Sequence, residues 1–132
     1  LADALEKPLA DFLAKGGTIV LSSPQSESLS FWRDLGLIDL EGGDFNDGTV
    51  PFTSAGKAAV GAGLGSSFDT INGTSFYSDG GTYPMEVWAE NEYGIVVASR
   101  KAGKGRVIVV GMDYFDPSDD TSRVLVNSVQ AK

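Results

Sequence analysis

The chain has 132 residues, 42% of them apolar and 21% charged, with a formal net charge of -8 and a sequence pI near 4.3. That size and composition suit one folded domain with a real core, and exclude two domains or a disordered chain. The lack of cysteine and histidine excludes disulfides, thiolate metal sites and every Ser-His or Cys-His catalytic arrangement, and removes the commonest general base.

The first residue is Leu1, and no charged-then-apolar targeting segment follows it; the expectation is a removed leader or an excerpt of something longer. Leu5, Leu9, Phe12 and Leu13 recur at i, i+4, i+7 and i+8, which predicts an amphipathic helix over Asp3 to Lys15, stopped by Gly16-Gly17. Pro8 cannot donate an interior helical bond, so a kink there or a true start near Lys7 is expected. Thr18 to Ser22 is apolar without polar alternation, as in a strand covered on both faces of a parallel sheet. The loop Ser23-Pro24-Gln25-Ser26 follows. Ser26 is the expected N-cap of a second helix through Leu35, with Leu29, Trp32 and Leu35 along one face and Gly36 as its stop.

From Asp39 to Asn72 the turn chemistry of Glu41-Gly42-Gly43-Asp44 and Asn46-Asp47-Gly48, and the glycines between Lys57 and Ser67, predict loops with a short helical turn or two. Asn72-Gly73-Thr74 fits the N-glycosylation acceptor pattern, and equally an ordinary turn. Strands are predicted at Thr74 to Tyr77, Met85 to Ala89, Ile95 to Arg100 and Arg106 to Gly111, the last two joined by a hairpin at Ala102-Gly103-Lys104-Gly105. Arg100, Lys101, Lys104 and Arg106 are the one basic cluster in an acidic chain, so nucleic acid is not an expected partner. The longest apolar run, Val107 to Met112, suits a buried strand and is far short of the ~20 residues of a membrane span, so no membrane insertion is expected. After a loop of Asp113 to Asp120, Thr121 to Gln130 reads as a closing helix with Val124, Leu125 and Val129 on its apolar face. This order describes a mixed sheet with helices on its faces.

The stretch Leu9 to Leu21, LADFLAKGGTIVL, resembles the helix, Gly-Gly and strand that precede the nucleophile elbow of class I glutamine amidotransferase-like domains. Arg100 to Val107, Val109-Val110-Gly111 and Arg123 to Asn127 resemble the glycine-rich hairpin strand and closing helix of non-catalytic members of that superfamily, the trehalose-utilisation-like, intraflagellar-transport-like and gliding-motility-like domains. The resemblance implies a flavodoxin-like α/β fold: a mixed, mostly parallel sheet with helices on both faces and a β-hairpin near the C-terminus. Where catalytic members place cysteine, this chain has Ser22-Ser23-Pro24, and the partner histidine has no counterpart. The likeness therefore implies fold without activity, in a family that supplies scaffold or ligand-binding modules to larger envelope or secreted proteins.

Ser22 and Ser23 fall at the carboxyl end of a predicted parallel strand, where open α/β sheets place ligands. With Ser26, Asp113 and Tyr114 they form the candidate ligand-binding set, for a small polar molecule or glycan. A serine nucleophile would need a Lys or carboxylate base, and no nearby spacing supplies one; turn or capping duty is the plainer account. Asp113, Asp116, Asp119 and Asp120 are the candidate metal ligands, in an oxygen-rich loop of the kind calcium prefers, although the spacing is not that of an EF-hand. Alternatively Asp119 or Asp120 caps the final helix. Asp39, Glu41, Asp44 and Asp47 form a second acidic cluster, and carboxylates held at the right separation run glycoside hydrolysis. Phe76, Tyr77, Tyr83, Trp88 and Tyr93 stack on sugars or fill a core according to which way they face; Trp88 and Val87 must face opposite ways, and Tyr83 and Tyr93 fall in predicted turns.

The expected function is a non-catalytic structural or protein-interaction module of a larger extracytoplasmic protein, extracellular or on the cell surface, with a protein partner or self-association. A small-molecule or glycan-binding module and a metal-dependent hydrolase are the rival readings. Calcium is the one cofactor the residues suggest.

Overall fold

The computed structural model describes residues 2–131, with side chains from Ala4 onward. Its elements are α1 (Ala2–Ala14), β1 (Thr18–Ser22), α2 (Ser26–Asp34), β2 (Leu40–Asn46), β3 (Thr49–Pro51), α3 (Ser54–Val60), β4 (Ser67–Asp69), β5 (Thr74–Asp79), β6 (Glu86–Asn91), β7 (Gly94–Ala102), β8 (Gly105–Val110) and α4 (Asp119–Gln130). The helix α1 runs through Pro8 without restarting at Lys7. Two helices stop where glycine permits a left-handed turn. Gly16 (φ +95) and Gly17 donate to Leu13 and Phe12 carbonyls at 3.0 and 2.9 Å, and Gly36 (φ +73) and Leu37 donate to Arg33 and Trp32 at 2.9 and 3.1 Å. Each pair closes a Schellman turn over otherwise orphaned carbonyls.

The main sheet is six-stranded in the order β1-β8-β7-β5-β2, with β6 also pairing to β7, and β3 and β4 form a separate two-stranded sheet. Among the described residues only β1 and β8 run parallel; the other pairings are antiparallel, so the expected mostly parallel sheet is corrected to a mostly antiparallel one. The apolar runs that suggested parallel strands reflect cover on both faces, which helices give to either kind of sheet. Along β8, Val107 and Val109 join the core under α1 and α2, with Leu13, Leu29 and Tyr77, while Ile108 and Val110 join the core under α3 and α4, with Val60, Trp88 and Val124. The hairpin at Gly103-Lys104 pairs Ala102 with Gly105, as expected.

Two further expectations are corrected, and the place of β1 in the sheet, which the sequence left open, is decided. Asp39 to Asn72 is not mainly loop: it holds β2, β3, α3 and β4, with the β2 glycines forming a bulge where Gly42 and Gly43 take φ +83 and +111. Strand β1 is an edge, paired on one side only. The caps also differ. The Gln25 N–H donates to Ser28 Oγ at 2.9 Å, making Gln25 and not Ser26 the N-cap of α2, and Ser118, not Asp119 or Asp120, caps α4 by accepting from the Thr121 N–H at 3.1 Å. Asp119 and Asp120 lie in the first turn, where the helix dipole favours them. Ser118→Ala is expected to lower stability by about 1 kcal/mol in urea unfolding, whereas Asp119→Ala should cost less than half of that. Val124 is buried as expected, but Val129 is 61% exposed.

Candidate functional site

Parallel pairing of β1 with β8 sets Ser22 opposite Val110, and the Ser23 N–H donates to the Val110 carbonyl at 2.7 Å. The loops carrying Ser22 to Ser26 and Asp113 to Tyr114 therefore leave the sheet at the same end, which is the juxtaposition the sequence suggested. A third segment joins them: the Ser75 N–H at the start of β5 donates to the Gly111 carbonyl at 2.8 Å. The approach is so close that a Cβ on Gly111 would fall 2.1 Å from the Ser75 carbonyl oxygen.

At this strand end Ser23 Oγ lies 2.9 Å from Ser75 Oγ, and Gln25 Nε2 donates to Ser75 Oγ at 2.7 Å and to Ser23 Oγ at 3.2 Å. Beneath them Tyr77 OH donates to the Pro24 carbonyl at 2.7 Å, and Ser22 Oγ donates to the Met112 carbonyl at 2.6 Å. Ser23, Ser26 and Tyr114 hold left-handed backbone at φ +46, +47 and +60, a conformation that costs non-glycine residues energy and gathers at ligand and switch sites. Ser26 is exposed and stands apart from the hydroxyl cluster. Tyr114 turns inward, its hydroxyl donating to the Thr121 carbonyl at 3.0 Å, while Asp113 Oδ1 accepts from the Phe115 N–H at 3.0 Å. Phe115 is left 93% exposed at the tip.

Chemically, Ser23 is flanked by a hydroxyl and a neutral amide, and neither takes a proton near neutral pH. Burial pushes the Tyr77 phenol up to about 12, and burial also raises Tyr114 well above the usual range. Since the folded state favours the protonated Tyr77, the stability it contributes is complete below pH 10 and is lost as pH rises from about 10 to 12. Alkaline unfolding followed at fixed urea should therefore steepen across that interval, and Tyr77→Phe should flatten it; an unchanged slope would place Tyr77 in water. Gln25 and Ser75 were not singled out as site residues from the sequence, because Ser75 is 52 positions from Ser23 and no local pattern links them.

The other candidates separate. Asp113, Asp116, Asp119 and Asp120 are exposed, and among the described residues no three acidic side chains come together to hold an ion. Asp39 is buried at 2% exposure, its Oδ2 accepting from the Thr82 and Tyr83 N–H groups at 2.7 Å each, so it organises a turn. Glu41 pairs with Arg33 at 3.3 Å, while Asp44 and Asp47 are exposed. Phe76, Tyr77 and Trp88 are core residues, Tyr93 is exposed, and Tyr83 lies under Arg100, whose guanidinium is 3.8 Å from its ring centroid. Arg106 likewise packs 5.1 Å from the Trp88 ring, so two of the four clustered basic residues are drawn into the protein. Asn72 is exposed in the turn before β5.

No family model matches the sequence, and no curated protein matches it. Among solved structures, a β-galactosidase from Bacillus circulans sp. alkalophilus aligns with 94% of this chain at TM-score 0.65 and 16% identity, the match covering 20% of that enzyme. A cytoplasmic protein from Salmonella typhimurium aligns with 95% of this chain at TM-score 0.61 and 9% identity, over 58% of its own length. The β-galactosidase from Rahnella sp. R3 gives TM-score 0.61 and 13% identity over 98% of this chain and 21% of that one. At these identities the likeness is one of fold. The chain spans about a fifth of the β-galactosidases and just over half of the Salmonella protein.

Proposed function

We propose that the chain is a non-catalytic, amidotransferase-like α/β module, serving as an interaction domain of a larger extracytoplasmic protein. The observation that carries this reading is Phe115, 93% exposed beside a strand-end cluster whose hydroxyls pair with one another and with no base. A phenyl ring left in water forgoes about 2 kcal/mol of burial, which a partner covering it recovers. Phe45 and Tyr93, 63% and 52% exposed, are two further rings to which the same argument applies. Placement of this fold as about a fifth of each β-galactosidase chain supports the module reading. The test is the mass of the native protein from its source, with and without glycan removal. A particle larger than 13.8 kDa is expected, and a free monomer of that mass would overturn the reading. A mass that drops on deglycosylation would place Asn72 outside the cytoplasm.

A second reading, a glycan or small polar ligand held by Ser22, Ser23, Ser26, Asp113 and Tyr114, is favoured by the left-handed backbone at Ser23, Ser26 and Tyr114. A depression of about 400 Å³ bounded by Ile71, Asn72, Asp113, Phe115 and Asp116 adjoins this end. If the ligand is galactose, the sugar for which the similar β-galactosidases are named, it should raise the melting temperature, and an unchanged melt would exclude that sugar.

A further inference from the structure

The strands that end the β1-β8-β7-β5-β2 path of the main sheet are built differently. At one, β2 carries Glu41, Asp44 and a glycine bulge, the charged and kinked devices that keep an edge from recruiting another strand. At the other, β1 reads Thr-Ile-Val-Leu-Ser, with no charge, proline or bulge and an unbroken register to β8. The Gly17 carbonyl and the Ser23 N–H both bond to β8, which fixes the alternation of the parallel ladder. Residues 19 and 21 therefore turn their backbone groups to β8, and Thr18, Val20 and Ser22 turn theirs to the open side.

One helix beside this edge leans an apolar flank over the empty position. Helix α4 rests on β1, with Thr18 Oγ1 donating to the Ala131 carbonyl at 3.4 Å. Asn127 Nδ2 donates from one side of α4 to the Val60 and Ala62 carbonyls at 2.7 and 2.9 Å, which places α3 on that side, toward β6 and the middle of the sheet. At about 100° per residue, Leu125 and Val129 lie on the opposite side of the buried stripe of Thr121, Val124 and Ser128, and so overhang the space beyond β1. Across the sheet α1 packs on β8, and its Phe12 ring reaches back over Gly17, where a Cβ would fall 2.2 Å from it. Phe12 and Val129 are 49% and 61% exposed. An unpaired backbone row thus lies beside one apolar overhang, with the Phe12 ring over the residue that precedes β1.

We propose that β1 is an interior strand in the working protein: an extended segment of about five residues, apolar on both faces and supplied by the larger polypeptide outside residues 1–132, pairs with Thr18, Val20 and Ser22. Its side chains pack alternately under Leu125 and Val129 and against Phe12. The inference rests on the module reading, and it accords with the similar structures, in which this fold is about a fifth or just over half of the chain.

Amide hydrogen exchange in the native protein and in the 132-residue chain tests it. In the chain alone, the Val20 and Ser22 amides should exchange at least about tenfold faster than Ile19 and Leu21, which bond to β8; in the native protein all four should be comparably slow. Val20→Pro removes an outward N–H together with some of the packing of Val20 on the core, so it should lower the melting temperature of the native protein by more than that of the isolated chain and release the Ser22 amide. Fast exchange at Val20 and Ser22 in a native protein larger than this chain would overturn the added strand and leave the module reading standing. A native monomer of 13.8 kDa would overturn both. Protection of these amides in the isolated chain that grows with its concentration would assign the edge to a second copy, against the proposal.

Discussion

Gly56→Ala is expected to destabilise the protein by about 3 kcal/mol, although alanine is the better helix former by about 1 kcal/mol. Helix α3 crosses β6 with backbone against backbone, and a Cβ on Gly56 would fall 1.8 Å from the Trp88 carbonyl oxygen and 2.6 Å from its Cα. Neither atom can rotate away, since both belong to a strand paired with β7. The Thr53 N–H also donates to that carbonyl at 3.0 Å, so a shift of α3 would break the bond that starts the helix. Urea unfolding of Gly56→Ala beside Gly65→Ala, whose Cβ would meet nothing within 4 Å, separates this contact from the general effect of adding a methyl group. Equal midpoints for the two variants would show that α3 does not pack on β6 as described.

Trp88→Ala is expected to cost about 4 kcal/mol. Trp88 is the largest fully buried side chain, 1% exposed, at the centre of the core between the sheet and α3. Its indole Nε1 donates to Glu86 Oε1 at 2.5 Å, and its ring supports Arg106, whose guanidinium lies 5.1 Å from the ring centroid. Truncation leaves a cavity and removes the aromatic partner of a largely buried cation, which retains Ser99 at 2.6 Å and Glu86 at 3.8 Å. Trp88→Phe keeps most of the volume and should cost less than half as much in the same unfolding experiment. A loss below about 1 kcal/mol for Trp88→Ala would contradict its burial.

Much of the secondary structure is legible because its causes are local. The amphipathic spacing of α1, the apolar runs of β1 and β8, and the Gly103-Lys104 turn each declare themselves within a few residues. Residues 39 to 72 were illegible for the opposite reason. Gly42 and Gly43 look like a turn, and only pairing with β5 makes them a bulge within a strand. The caps failed more narrowly: Ser26 and Asp119 were each one position from the residue that caps; Ser118 and Asp119 are alike as N-caps, whereas Gln25 is no preferred cap and holds its place through Ser28 Oγ. At the candidate site, the loops carrying Ser22, Ser23, Asp113 and Tyr114 leave the sheet at the same end, yet Tyr114 turned inward and Ser26 outward.

By itself, then, the sequence determined the chemistry that is absent and the segments that alternate or run apolar, because both follow from residue identity and short-range periodicity. It left open which strands pair, in which direction, and where a strand lacks a neighbour. Those were decided by tertiary structure, because backbone hydrogen bonds between strands carry no side-chain label and their partners lie far apart in sequence. The contacts of Ser23 with Ser75, Asp39 with Tyr83 and Gly56 with Trp88 came from the same long-range assembly. So did the open side of β1, since an apolar strand reads alike in the middle of a sheet and at its edge.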